Sequence, residues 1–129
     1  MRKEIVDVSS AGFKVSPIAS QCVRFGNLVY PAGQVPVDPK TGSVVGDDIR
    51  SHTRQCLENL KSILTIAGTS LGNVLKVNVY LRNMDDFEAF NEVYVCYFPS
   101  NPPARTTVQV ARLWDGILIE IEAVACIPD

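Results

Sequence analysis

Arg105 stands in the segment Asn101-Pro102-Pro103-Ala104-Arg105-Thr106-Thr107. The prolines have a fixed φ and stiffen the approach to a β-prone run, so the arginine opens a strand at a defined place. Arginine is always charged, and its planar fork matches a carboxylate through two parallel hydrogen bonds. Held this way, it would lose little entropy on gripping a small anion. The same side chain could instead pair with a protein acid or reach into solvent, and its spacing is compatible with either.

The second chemical signal is Glu120 and Glu122 within Ile117-Leu118-Ile119-Glu120-Ile121-Glu122-Ala123-Val124. Residues two apart on a strand share a face. Two acids in so apolar a strand need partners or water. Either one of them lies in a cleft with a shifted pKa, or the pair is exposed or salt-bridged at a strand edge. In Pro31-Ala32-Gly33-Gln34 the glycine permits close backbone approach, to a ligand or to another strand at a bulge. His52, the one histidine, falls at the start of a helical segment and reads as a solvated helix residue. Cys22, Cys56, Cys96 and Cys126 read as small core hydrophobes, since they are far apart and no second histidine is present to activate them. That scatter also argues against a zinc site, and no metal is expected.

The elements that must position these residues follow from periodicity. Lys3 to Val8, Gln21 to Phe25 and Leu28 to Val35 read as strands, the last two joined by a tight turn at Gly26-Asn27. Cys56, Leu57, Leu60, Ile63, Leu64 and Ala67 make one helical stripe, with Asp47-Asp48 at its head and Gly68 at its end. Val74 to Leu81 alternates as a strand. Phe87, Phe90, Tyr94 and Phe98 repeat at helical spacing, with Asn83 or Asp85 as cap. Arg105 to Arg112 and Ile117 to Cys126 close the chain as two strands, joined through Leu113-Trp114-Asp115-Gly116. The order is β-β-β-α-β-α-β-β, an α+β domain spanning residues 1–129. Two helices cover one face of such a sheet. In the last strand Ile117, Ile119, Ile121, Ala123 and Ala125 line one face, while Leu118, Val124 and Cys126 are apolar on the other. The second face should therefore be buried by other copies in a closed, symmetric assembly.

Composition narrows the field further. The net charge of −2 gives no footprint for a nucleic-acid backbone. No run reaches the ~20 apolar residues that a membrane span needs. The thiols fit a reducing, cytoplasmic setting, and a mitochondrial one fits them as well.

Asn101 to Ala125, NPPARTTVQVARLWDGILIEIEAVA, resembles the signature of the Rid family, also called YjgF or UK114. Gly26 to Pro36, GNLVYPAGQVP, and Asp85 to Asn91, DDFEAFN, resemble it too, and the likeness runs from about Ser16 to Ile127. It implies a chorismate-mutase-like fold and a homotrimer with a β-barrel centre and three clefts between subunits. It also implies hydrolysis of reactive 2-enamine or 2-imino acids, such as 2-aminoacrylate, to 2-oxo acids and ammonia, without a cofactor. By that resemblance Arg105 binds the substrate carboxylate and Glu120 positions or polarises the attacking water. Backbone groups near Gly33 and Thr107 meet the imine end, and Asn91 and Tyr94 shape the cleft.

The sequence departs from the family pattern at two cleft positions. Ala19 stands where many deaminating members carry Tyr, and Ala32 where many carry Ser. Each missing hydroxyl removes a hydrogen bond worth ~1.5–3 kcal/mol if made to a charged group. The alternatives are a trimer that binds a small carboxylate or acts as a chaperone without turnover, and a deaminase for a larger enamine of aminomuconate-like or biosynthetic type. Thr107 replaces a frequent Cys, a variation the family also shows, and Trp114 is unusual in its turn. RNA cleavage, which has been linked to the family, gains little from an acidic chain.

Overall fold

A computed structural model describes residues 1–129. The strands are β1 (Lys3–Ile5), β2 (Cys22–Phe25), β3 (Leu28–Pro31), β4 (Val74–Leu81), β5 (Ala104–Gln109) and β6 (Ile119–Cys126). The helices are α1 (Ile49–Ala67) and α2 (Phe87–Tyr97), so the element order is the one the periodicity predicts. The six strands form one sheet in the order β1-β2-β3-β6-β4-β5. All neighbours are antiparallel except β4 and β5, which are parallel because α2 carries the chain back between them. No helix is long and apolar enough to cross a membrane.

α1 starts where Asp48 accepts a hydrogen bond from the Ser51 amide at 2.9 Å and stops at Gly68, whose φ of 91° a side chain would resist. Its stripe from Cys56 to Ala67 is buried against the sheet. Ile119, Ile121, Ala123 and Ala125 of β6 meet it from below, with Val77, Val79 and Leu81 of β4 beside them. The opposite face carries Leu118, Glu120, Glu122, Val124 and Cys126 only half-covered, as the two-sided apolar strand requires. Phe25, Tyr30 and Val108 are also exposed on that face.

Several boundaries differ from the sequence reading. β1 ends at Ile5 rather than Val8, β5 at Gln109 rather than Arg112, and β6 begins at Ile119 rather than Ile117. β3 ends at Pro31 rather than Val35. Val29 pairs with Ala125, yet Gln34 pairs with Ile121, so the β3 side holds one extra residue and bulges through Ala32-Gly33. His52 is a clear correction: it is fully buried, not solvated. Its Nδ1 accepts from the Leu118 amide at 3.3 Å, which leaves the proton on Nε2 to donate to the Gly46 carbonyl at 3.0 Å. The ring thus ties three segments together. Cys22 and Cys56 are core residues as expected, but Cys126 is only partly covered, and Cys96 corrects the reading: it lies exposed on α2.

Candidate functional site

Arg105 lies on the helix-covered face, because it pairs with the core residue Val77 across the β4–β5 ladder. Asn101, at a φ of 46°, turns the chain into the Pro102-Pro103 approach. The guanidinium carbon sits 4.6 Å from the centre of the Tyr94 ring, 5.0 Å from Phe90 and 5.7 Å from Phe87. The aromatic residues that repeat at helical spacing are therefore also a bed for the cation, and such stacking holds the fork flat. Arg105 makes no ion pair; the chain's one salt bridge joins Arg50 to Glu92 at 2.7 Å. Beside it, the Tyr94 hydroxyl and Thr107 Oγ1 are buried with no hydrogen-bond partner. Burial pushes the Tyr94 pKa up, and Arg105 opposes that in part, through its charge and through its approach to the hydroxyl oxygen, which leaves the Tyr94 O–H itself without an acceptor. Asn91 is half-buried on α2, one turn after Phe87 and three residues before Tyr94. A cation free of protein acids, with orphaned hydroxyls next to it, has the chemistry to hold an anion with hydrogen-bonding oxygens.

Glu120 is on the other face. It pairs with Tyr80 across the β4–β6 ladder and shares its side of the sheet with Glu122. Burial pushes the Glu120 pKa up, and the neighbouring Glu122 charge adds to the rise. Glu122 has its own partners: it accepts from the Tyr80 hydroxyl and, at 3.4 Å, from Asn78 Nδ2. That bond, with burial, moves the Tyr80 pKa up to about 12. Glu120 is thus the acid left over for chemistry.

Its carboxylate lies directly against Gly33, where any Cβ would collide with it. The bulge places this glycine, and buried polar groups fix the bulge. Gln34 exchanges backbone hydrogen bonds with Ile121 at 2.7 and 3.0 Å, while its side chain donates to Gln21 and to the Ala32 carbonyl, each at 3.1 Å. Asn59 donates to the carbonyls of Val35 and Val37 at 3.2 and 2.9 Å. Glu120 and Gly33 border an open cleft of about 510 Å³, whose walls include Phe13, Val35 and Trp114. Ala19 lines an adjoining hollow of about 280 Å³ that shares Phe13, Lys14 and Gln21 with the cleft. Ala32 stands behind Gly33, its amide donating to Gln21 at 2.7 Å.

The residues singled out from sequence therefore form two half-sites. Arg105, Thr107, Tyr94 and Asn91 belong to one, on the helix face at the β5 edge; Glu120, Gly33, Ala32 and Ala19 belong to the other. Sequence reasoning missed Gln21, Gln34 and Asn59, which hold the bulge. The one signal for them was amides and carbonyls near a glycine that breaks a strand.

The family model described as Endoribonuclease L-PSP matches residues 15–127. A RutC family protein of Pyrococcus horikoshii is 50% identical over 123 residues, covering 95% of this chain and 97% of that protein. A 2-iminobutanoate/2-iminopropanoate deaminase of Salmonella typhimurium is 43% identical over 108 residues, covering 81% and 84%. The crystal structure of E. coli TdcF with bound serine has a TM-score of 0.86 at 37% identity, covering 95% of this chain and 98% of that one. The sheet order, the paired helices on one face and these likenesses define one architecture. The chain belongs to the Rid family.

Proposed function

We propose that this chain is an imine deaminase that hydrolyses small 2-imino or 2-enamine acids to 2-oxo acids and ammonia. The observation that carries the reading is Arg105: a cation on an aromatic bed, without a protein acid, beside two buried hydroxyls that lack partners. The named activity of the Salmonella relative supports it.

Because Arg105 and Glu120 occupy opposite faces of one chain, a single substrate meets both only between copies. In the proposed homotrimer, the half-covered face of one copy is closed by its neighbour, which brings Arg105 of that neighbour to the Glu120 cleft. The substrate carboxylate lies in the Arg105 fork. Water adds to the imine carbon while Glu120 takes a proton from it. Glu120 returns that proton to nitrogen, giving the carbinolamine, then takes the carbinolamine's hydroxyl proton as the C–N bond breaks and passes it to the leaving nitrogen, which departs as ammonia. One C=N bond is lost and one C=O bond is formed, with one water consumed. Orientation and one acid/base group can supply this much catalysis, the latter typically ~10²–10⁴-fold.

Ala19 and Ala32 favour a second reading, carboxylate binding without turnover, since neither supplies a hydroxyl. RNA cleavage, to which the family model's description points, draws little support from this chain: the only imidazole is buried with both nitrogens engaged. The test is to generate 2-iminopropanoate with an amino-acid oxidase and trap it with semicarbazide. Added protein should suppress the semicarbazone and raise free 2-oxo acid. Unchanged trapping overturns the deaminase reading, and a bound carboxylate without turnover establishes the second.

A further inference from the structure

We propose that Trp114 makes this a deaminase for 2-imino acids with a large apolar side chain, branched or aromatic, ahead of the three- and four-carbon ones. The inference rests on the deaminase reading and names its substrate class.

Trp114 is 76% exposed, the highest exposure of any aromatic side chain in the molecule. A large indole in water has apolar area to offer, and its position says to what. Two hollows border Glu120, and Trp114 and Glu120 are the residues common to both. The indole therefore stands next to the reacting end of the cleft. The backbone of its turn is tied to the sheet. The Trp114 carbonyl accepts from the Ile117 amide at 3.1 Å, Ile117 is only 2% exposed, and the Leu118 carbonyl accepts from the Arg82 amide at 3.0 Å.

The rest of the cleft matches an amphipathic ligand. Its polar part is Glu120 against Gly33 with Lys14, Gln21, Gln34 and Asn59, and its apolar side is Phe13, Val35 and Val37 together with Trp114. In a single chain the cleft of about 510 Å³ is open and leaves room beside Glu120 for a side chain longer than a methyl group. With the imine carbon at Glu120, the side chain extends between the indole and that wall.

The experiment compares kcat/KM for imines generated from leucine and from alanine, in the wild type and in Trp114→Ala and Trp114→Phe. The wild type should favour the leucine-derived imine. Trp114→Ala should lower the leucine-to-alanine ratio by about tenfold or more, the scale expected for lost apolar contacts in a pocket, and Trp114→Phe should restore most of it. Trp114 is the only tryptophan, so its emission reports occupancy without turnover. In the wild type, 4-methyl-2-oxopentanoate should shift that emission at lower concentration than pyruvate. Turnover of the alanine-derived imine with a ratio insensitive to Trp114→Ala overturns this inference and leaves the deaminase reading standing. A selective emission shift without turnover of any imine overturns the deaminase reading and, with it, this inference, leaving only a binding site selective for large apolar 2-oxo acids. Dissociation of the assembly in Trp114→Ala also overturns the inference, because the indole would then be a subunit contact.

Discussion

Replacing Arg105 probes the proposed carboxylate grip. A bidentate carboxylate grip comprises two hydrogen bonds to a charged group, each worth ~1.5–3 kcal/mol, or ~3–6 kcal/mol together. Nothing in the chain compensates, since no other cation shares the aromatic bed of Phe87, Phe90 and Tyr94. Arg105→Ala should therefore lower kcat/KM by about 10²–10⁴-fold, at ~1.36 kcal/mol per decade. Arg105→Lys keeps the charge but loses the fork and the flat stacking, so a loss of about 10–10²-fold is expected. Much of the effect should fall on KM, because the carboxylate is held in the ground state as well as in the transition state. The assay is the initial rate of 2-oxo acid release from an oxidase-generated imine, with circular dichroism to verify the fold. Should Arg105→Ala retain the wild-type kcat/KM to within about twofold, the anion-receptor role is wrong.

Other perturbations separate the second half-site from the fold. Gly33 needs no left-handed backbone, so Gly33→Ala should leave Tm nearly unchanged while its methyl displaces the Glu120 carboxylate; a drop in kcat of about tenfold or more is expected, within the range of a general acid/base contribution. With its pKa raised by burial and by Glu122, Glu120 should give kcat/KM an acidic limb centred above the ordinary glutamate value of ~4.3, and Glu120→Gln should remove both limb and activity. The same shift has a sign for stability. A carboxyl that holds its proton more tightly when folded favours the fold below its unfolded pKa, and that contribution is lost as pH rises through the folded pKa. Glu120→Gln should accordingly raise Tm relative to wild type near neutral pH, with the gain shrinking toward pH ~4. A wild-type advantage at neutral pH would contradict the shift.

Much of the fold was legible because local chemistry repeats at the right period. The Cys56-to-Ala67 stripe, its Asp48 cap and its Gly68 stop needed no tertiary information. The alternation in Val74–Leu81 and Ile119–Cys126 did not need it either. His52 was misread because its burial depends on Gly46 and Leu118, which lie 6 and 66 residues away. β3 was read too long because Gly33 is compatible with a strand, and only pairing with Ile121 reveals the extra residue. Arg105 and Glu120 were found as residue types. Their separation onto opposite faces follows from registers, Arg105 with Val77 and Glu120 with Tyr80, that no single segment encodes. The ring bed under Arg105 was visible as a helical repeat, but its second use depends on the parallel β4–β5 pairing.

That separation leads to the proposal that the working site joins two copies, and subunit mixing tests it. Inactive Arg105→Ala and Glu120→Gln chains are combined, unfolded together, refolded and assayed. A cleft drawing Arg105 from one copy and Glu120 from its neighbour should reappear in roughly a quarter of positions at equal mixing, since neighbours assort at random in a closed ring. The account predicts recovery of about that fraction of wild-type activity. Mixed assemblies as inactive as either parent would contradict it.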